Sequence, residues 1–165
     1  LADRGVLTEI VADRIRRALA EAELGRLSPV IVVDHGGPSP ASASLRDRIA
    51  GELRRVLHGA IGPLAAASME GGEHAHARLL LSEVLARRGF NQGDVLIAPL
   101  FLLPGRHAGP AGDLARLAEA AVRSAGAPGL RCHFTGLIGN HPLAATALAA
   151  ALRETVSPVH LSTLP

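Results

Sequence analysis

The sequence has no lysine, tryptophan or tyrosine, one cysteine, and only 2% aromatic residues. Its 17 basic residues are therefore all arginine, and its 15 acidic residues leave a net charge of +2. So small a charge, with so few rings on which bases can stack, excludes the usual features of a nucleic-acid-binding domain. We expect no nucleic acid among its partners.

The single cysteine, Cys132, excludes an internal disulfide and is typical of a reducing compartment. No segment combines the charged and apolar regions of a signal peptide. The longest apolar run, residues 95–104, contains two prolines and falls far short of the roughly 20 residues that cross a bilayer. These absences predict a cytoplasmic protein without a membrane partner.

What the sequence does contain is an alternation of strand and helix patterns within 165 residues, 48% of them hydrophobic. Such a pattern predicts one α/β fold, a three-layer arrangement with a mainly parallel four-stranded sheet and helices on both faces, in the flavodoxin-like order 2-1-3-4. The segment 104–112 is too rich in turn residues to continue any element. The predicted strands are 29–33, 64–69, 94–100 and 130–135, and the predicted helices are 7–24, 40–57, 75–87, 113–122 and 142–154.

The first predicted helix stands apart from this alternation. We divide the chain into a leading helix (1–28), an α/β domain (29–155) and a C-terminal tail (156–165). Residues 4–17 align without a gap with 141–154, which suggests that the leading helix is the tail of a preceding, similar half. Alanine-rich helices also resemble one another by chance, so the alignment has a simpler explanation. The first residue is leucine rather than methionine, which also suggests that a segment precedes it.

Histidines follow two of the predicted strands. In the order 2-1-3-4, ligands bind at the carboxyl ends of the first and third strands, where His35 and the loop with His107 lie. Glu70, after the second strand, stands beside them. Two imidazoles and a carboxylate suit a divalent metal in an open site, although a single loop histidine is more often an ordinary surface residue. His74 and His76 could also gather metal, but solvated loop residues are the simpler interpretation.

Arginines and glycines flank the same loops. Arg106, Arg46 and Arg48 could hold carboxylates or phosphates by bidentate pairing, whereas an exposed helix face is the default for the last two. Gly36 could let the backbone approach a flat ligand, or serve only the turn.

The stretch VIVVDHGGPSPASASLRDRIAGEL, then ASME, then GDVLIAPLFLLPGRHAGPAGDL, resembles the CbiX-type sirohydrochlorin cobaltochelatases, which are class II chelatases. It covers residues 29–155, one half-unit of that family. The family's His-Gly pair is matched by His35-Gly36, its glutamate by Glu70, and the histidine of its PLFL-x-x-G-x-H segment by His107. The chain departs from the family at Asp34, where glycine is usual.

The resemblance implies a lyase that inserts Co²⁺, or in relatives Ni²⁺ or Fe²⁺, into the tetrapyrrole sirohydrochlorin during cobalamin biosynthesis, without an organic cofactor. His35 and His107 would bind the metal and accept protons, and Glu70 would assist. Arg106 and Arg46 would meet the acid side chains of the macrocycle, near Gly36. The family also implies a homodimer or pairing with a similar half.

Two alternatives stay open. In the first, the departures from the family abolish the activity of the isolated chain. The chain is then a non-catalytic metal- or tetrapyrrole-binding domain, or half of a two-half chelatase. A histidine phosphatase also carries a His-Gly after its first strand, but it requires an arginine where this chain has Asp34, and an aspartate there repels a phosphoryl group.

Overall fold

In the computed structural model, which describes residues 4–71, 73, 74, 76, 79–109, 111–124 and 129–155, strands and helices alternate along the chain. The elements are α1 (Arg4–Glu21), β1 (Val30–Asp34), α2 (Pro40–Val56), β2 (Leu64–Ser68), α3 (Leu81–Leu85), β3 (Asp94–Pro99), α4 (Gly105–Ala108), α5 (Asp113–Ser124), β4 (Arg131–Phe134) and α6 (Pro142–Thr155).

The four strands form one parallel sheet in the order β2-β1-β3-β4. Val30 pairs with Leu64 on one side and Leu96 on the other, and Asp94 pairs with Arg131 at the start of β4. The predicted fold class and strand order are confirmed. Because all four strands are parallel, the loops that follow them meet at one edge of the sheet, called here the carboxyl edge.

The two faces of the sheet are covered by different helices. Alternate residues of a strand point to opposite faces, so Val30 and Val32 pack with α1, α2 and α6, whereas Ile31 and Val33 pack with α3 and α5. β1 is buried on both faces, as its β-branched run predicts.

Helix α1 belongs to the first of these two cores. Its residues Ile10 and Ile15 are fully buried among side chains of β1, α2 and α6, and it contacts α2, α6 and β3. The predicted leading helix is thus packed into the same layer as α2 and α6. Its origin in a preceding half stays a prediction, and the predicted tail, 156–165, lies outside the described residues.

Two segments differ from the sequence prediction. The helix predicted over 75–87 spans only Leu81–Leu85 within the described residues, because Leu80 is extended and forms a parallel bridge with Ser68 at the end of β2. The segment 104–112, predicted to be irregular, contains the helical turn α4, closed by the Ala108 N–H donating to the Pro104 carbonyl.

The start of α2 follows the sequence signal. Pro40 is the first helical residue, which agrees with the predicted range 40–57, and Ser39 before it is the N-cap residue. None of the helices within the described ranges combines the length and apolar character needed to cross a bilayer.

Candidate functional site

Three of the predicted site residues meet at the carboxyl edge. His35 directly follows β1, His107 lies in α4 after β3, and Glu70 lies two residues beyond β2. The Nε2 atoms of the two histidines are 3.3 Å apart, and Glu70 Oε1 is 3.1 Å from His35 Nε2. The imidazole rings meet edge to face with centroids 4.5 Å apart. The structure therefore brings His107 and Glu70 to the same nitrogen of His35.

Gly36 makes the close approach of His35 and Glu70 feasible. Its φ is +83°, and a Cβ at this position would lie 1.9 Å from the Glu70 carbonyl oxygen. The Glu70 N–H donates to the His35 carbonyl at 3.0 Å, which extends the β1–β2 pairing past the strands. Any other residue at position 36 would push the two loops apart, so the turn itself requires the glycine.

The hydrogen bond on the far side of His107 fixes the donor and acceptor atoms of that ring. His107 Nδ1 lies 2.9 Å from Asp113 Oδ2, and because a carboxylate only accepts hydrogen bonds, Nδ1 donates. In the neutral ring, His107 Nε2 then carries a lone pair and no proton. His35 differs, because both of its nitrogens face an acceptor at 3.1 Å: Nδ1 faces the Gly36 carbonyl and Nε2 faces Glu70 Oε1.

His35 is consequently surrounded by more acceptors than its neutral ring can satisfy. The Gly36 carbonyl, Glu70 Oε1 and His107 Nε2 lie 3.1, 3.1 and 3.3 Å from its ring nitrogens, and a neutral imidazole carries one N–H. A second proton, or a cation bound between the facing nitrogens, relieves this excess of acceptors. This mismatch is the main chemical property of the site.

The separation of the two nitrogens matches a shared metal ion. An ion with imidazole nitrogens about 2.0–2.1 Å away in tetrahedral geometry places them about 3.3 Å from each other. Among the residues that the structure describes, no group of three or more His, Cys, Asp or Glu side chains is arranged to hold a metal. The site thus offers two imidazole nitrogens as ligands, and Glu70 contacts the nitrogen of His35.

The site is open to solvent. The His35 side chain is 42% exposed, the Glu70 side chain 58% and the His107 side chain 30%. An ion bound here would keep most of its coordination positions free for water or for another ligand, which is the condition for exchange rather than for a structural role.

Beneath the site lies a buried network centred on Arg46. Its guanidinium donates to Asp34 Oδ1, to Ser68 Oγ and to Asp47, and the Ser68 hydroxyl donates to Asp34 at 2.7 Å. The Arg46 side chain is only 5% exposed, so the expectation that it lies on an exposed helix face is wrong. Arg46 reaches inward because an acidic strand end, Asp34, lies one residue before His35.

The other two flanking arginines differ from Arg46. Arg106 is 82% exposed, and its Nε lies 3.7 Å from Asp113 Oδ2. Arg48 is exposed on α2, as expected. Of the two arginines assigned to the macrocycle, Arg106 is thus the accessible one.

His74 and His76 lie near the turn that precedes α2. His76 Nε2 lies 2.7 Å from the Gly37 carbonyl, and its ring stacks parallel on His74 with centroids 5.6 Å apart. The Nε2 of His74 lies 3.3 Å from Glu73. His76 is therefore occupied by a backbone acceptor rather than turned toward Glu70.

An apolar cavity of about 210 Å³ borders α4 on the side of β4. Pro99, Leu114 and Phe134 form part of its wall, and Phe134 is 40% exposed. Leu103, in the loop between β3 and α4, is 72% exposed. Close to His107, the carboxyl edge thus presents apolar surface suited to a flat, ring-containing ligand.

A second cluster of histidine, arginine and carboxylate lies at the opposite edge of the sheet. Asp94 accepts hydrogen bonds from Arg131 through both oxygens, at 2.7 Å each, and lies 2.8 Å from His133 Nε2. The hydrogen bonds from Arg131 and His133 hold the pKa of Asp94 well below its usual range, against a smaller effect of burial. Here every acceptor meets a donor.

Asp113, on the far side of His107, is not among the site residues predicted from the sequence. It is the first residue of α5 and contacts His107, Arg106 and Arg116. The signal that could have revealed it is a carboxylate six residues after a histidine, in a segment rich in glycine and proline.

Comparison of the chain with protein-family models, with curated proteins and with solved structures finds no match.

Proposed function

We propose that the chain binds a divalent cation between His35 and His107 and inserts it into sirohydrochlorin, with Co²⁺ as the metal. The observation that carries the proposal is the excess of acceptors around His35, whose neutral ring has one N–H for the Gly36 carbonyl, Glu70 and His107, because a cation between the two imidazoles relieves it. That the acceptor of the metal is sirohydrochlorin is inferred from the sequence resemblance to the cobaltochelatases.

The reaction exchanges two protons for one metal ion. Two pyrrole N–H bonds break, bonds from the metal to the macrocycle nitrogens form, and the metal leaves the protein. As the ion moves, the lone pairs of His35 and His107 become free to accept the two protons, and Glu70 can take one from His35. The lone pair of a neutral imidazole can either bind a metal ion or accept a proton, so the same two rings can serve both steps.

The surroundings of the site support a planar, acidic substrate. The apolar cavity beside α4 suits one face of the ring system, and Arg106 lies where it can pair with a carboxylate of the macrocycle. Arg46, whose donors are engaged with Asp34 and Ser68, acts by holding the end of β1 rather than by contacting the substrate. A second copy of the chain would cover the open side, and mass measurement in solution would test that pairing.

The decisive experiment compares Co²⁺ binding and Co²⁺ insertion in matched variants. We expect His35→Ala and His107→Ala to weaken Co²⁺ binding by more than the 10–100-fold typical of losing an outer-shell partner. The matched control is His133→Ala, which removes an imidazole of similar exposure at the opposite edge. Unchanged Co²⁺ affinity in the double variant His35→Ala/His107→Ala would contradict the proposal.

Insertion is followed by the absorption spectrum of sirohydrochlorin after addition of Co²⁺, Ni²⁺ or Fe²⁺ in parallel. The wild type should accelerate the spectral change above the protein-free rate, most strongly with Co²⁺. Binding of Co²⁺ and macrocycle without acceleration would identify a non-catalytic binding domain, or a half that needs its partner.

A further inference from the structure

The carboxylate of Asp113 lies against the side of His107 that faces away from the candidate metal site. Asp113 Oδ2 is 2.9 Å from His107 Nδ1, and the two side chains are about one-third exposed. Because the contact uses Nδ1, it leaves Nε2 for His35 and the site. Asp113 therefore touches neither the reacting atoms nor the place of the ion.

The backbone at Gly112, one residue before Asp113, lies close to α4. A Cβ at Gly112 would lie 2.7 Å from the His107 carbonyl oxygen and 2.9 Å from that of Arg106, so the chain passes directly over α4 at this point. The next residue begins α5, with its carboxylate in the first turn, where the helix dipole stabilises a negative charge.

Two arginines lie beside the same carboxylate. Arg106 Nε lies 3.7 Å from Oδ2, and Arg116 Nη1 donates to Oδ1 at 3.4 Å. Both arginine side chains are largely exposed, so these ion pairs contribute little to the position of Asp113. The shortest of the three contacts is the hydrogen bond from His107 Nδ1.

We infer that Asp113 is a positioning residue that holds His107 as the Nδ1–H tautomer and so keeps the Nε2 lone pair directed at the ion. A carboxylate behind a ligating histidine fixes the ring and raises its basicity as a ligand. His35 has only the weaker Gly36 carbonyl in the same role. The two ligands are therefore unequal, and His107 is the stronger one. The part of this inference that concerns metal rests on the proposed function.

The tautomer is measured directly by ¹⁵N NMR of the labelled protein without metal, at about pH 8, where ordinary imidazoles are neutral. We expect wild-type His107 to show protonated Nδ1 and unprotonated Nε2. In Asp113→Asn, the amide can donate to Nδ1, so the signal should move toward the Nε2–H form. Asp94→Asn is the matched control, because it makes the same change beside His133 and should leave the His107 signals unaltered.

Cobalt titration of the same proteins gives the second readout. Asp113→Asn should weaken Co²⁺ binding 10–100-fold, Asp113→Glu should restore part of the loss, and Asp94→Asn should bind as the wild type does. Circular dichroism confirms that each variant is folded.

The two readouts separate the two hypotheses. A wild-type His107 protonated on Nε2, or a tautomer unchanged in folded Asp113→Asn, would overturn the role of Asp113. A tautomer that changes as expected in a protein that does not bind Co²⁺ would support the positioning role and contradict the proposed function.

Discussion

The two edges of the sheet carry similar residues in opposite states. At the amino edge, the one opposite the carboxyl edge, Asp94 accepts from both Arg131 and His133, which point the same way from β4 because they are two residues apart. At the carboxyl edge, the neutral ring of His35 has one N–H for three acceptors. Donors and acceptors thus match in the first cluster, whereas acceptors are in excess in the second. Composition alone does not distinguish these two clusters, and hydrogen-bond direction does.

The edges also differ in what lies below them. The amino-edge cluster is a surface feature, with the Arg131 side chain 63% exposed. The carboxyl-edge cluster rests on the buried Arg46 network, which fixes the residue before His35. Changes at the carboxyl edge should therefore affect stability and metal binding more than matched changes at the amino edge or at exposed positions.

The largest effect is expected from Arg46→Met, which leaves the Asp34 carboxylate without its buried cation. Removing one partner of a buried ion pair costs about 3–5 kcal/mol, so the free energy of unfolding should fall by that amount. Arg48→Met, on the exposed side of the same helix, should change it by less than about 0.5 kcal/mol. Urea denaturation of both variants checks this, and equal losses would show that Arg46 is not the support of this edge.

The next largest effect is expected from Gly36→Ala, which should lower the free energy of unfolding by about 3 kcal/mol. Backbone strain at a positive φ accounts for about 1–3 kcal/mol, and the new Cβ also meets the Glu70 carbonyl. Gly37→Ala is the matched control, since Gly37 also has a positive φ but nothing within 4 Å of a Cβ. Denaturation midpoints that are the same for both alanine variants would contradict the role of the close contact.

Cobalt should stabilise the wild type by about 2.7 kcal/mol at a free concentration 100 times the dissociation constant. His133→Ala should show the same gain, because its histidine serves the amino edge, whereas His107→Ala should show little at that concentration. Thermal unfolding with and without Co²⁺ measures the gain. If Co²⁺ failed to stabilise His133→Ala but still stabilised His107→Ala, the result would contradict a metal site at the carboxyl edge.

The smallest effect is expected from Asp94→Asn. Because the pKa of Asp94 is lowered in the folded state, its contribution to stability is present above the ordinary carboxyl value of about 3.9 and is lost as the pH falls through the folded-state pKa. The difference between wild type and Asp94→Asn should therefore be largest near neutral pH and vanish in acid. Urea midpoints across that pH range test the sign, and a difference that grows in acid would contradict it.

The sheet could be predicted from sequence because its signals are local. Residues 30–33 and 95–99 are short apolar runs, and alternation with helices implies parallel strands. The shortened α3 could not be predicted, because Leu80 joins the end of β2 only after the chain has folded.

The candidate site was predictable only in part. The strand order places His35 and His107 at one edge, but the burial of Arg46 depends on Asp34 and Ser68, which come from two different strands. The contact of Asp113 with His107 depends on the helical turn α4, in a segment whose glycines and prolines indicate no regular structure.

The burial of α1 has a practical consequence for dissecting the molecule. A fragment that begins at residue 29 would retain β1 to β4, yet it would uncover the core that Ile10, Val11 and Ile15 now cover. Apolar patches of that kind favour self-association and aggregation. An expression fragment that keeps the site in working shape therefore has to include α1.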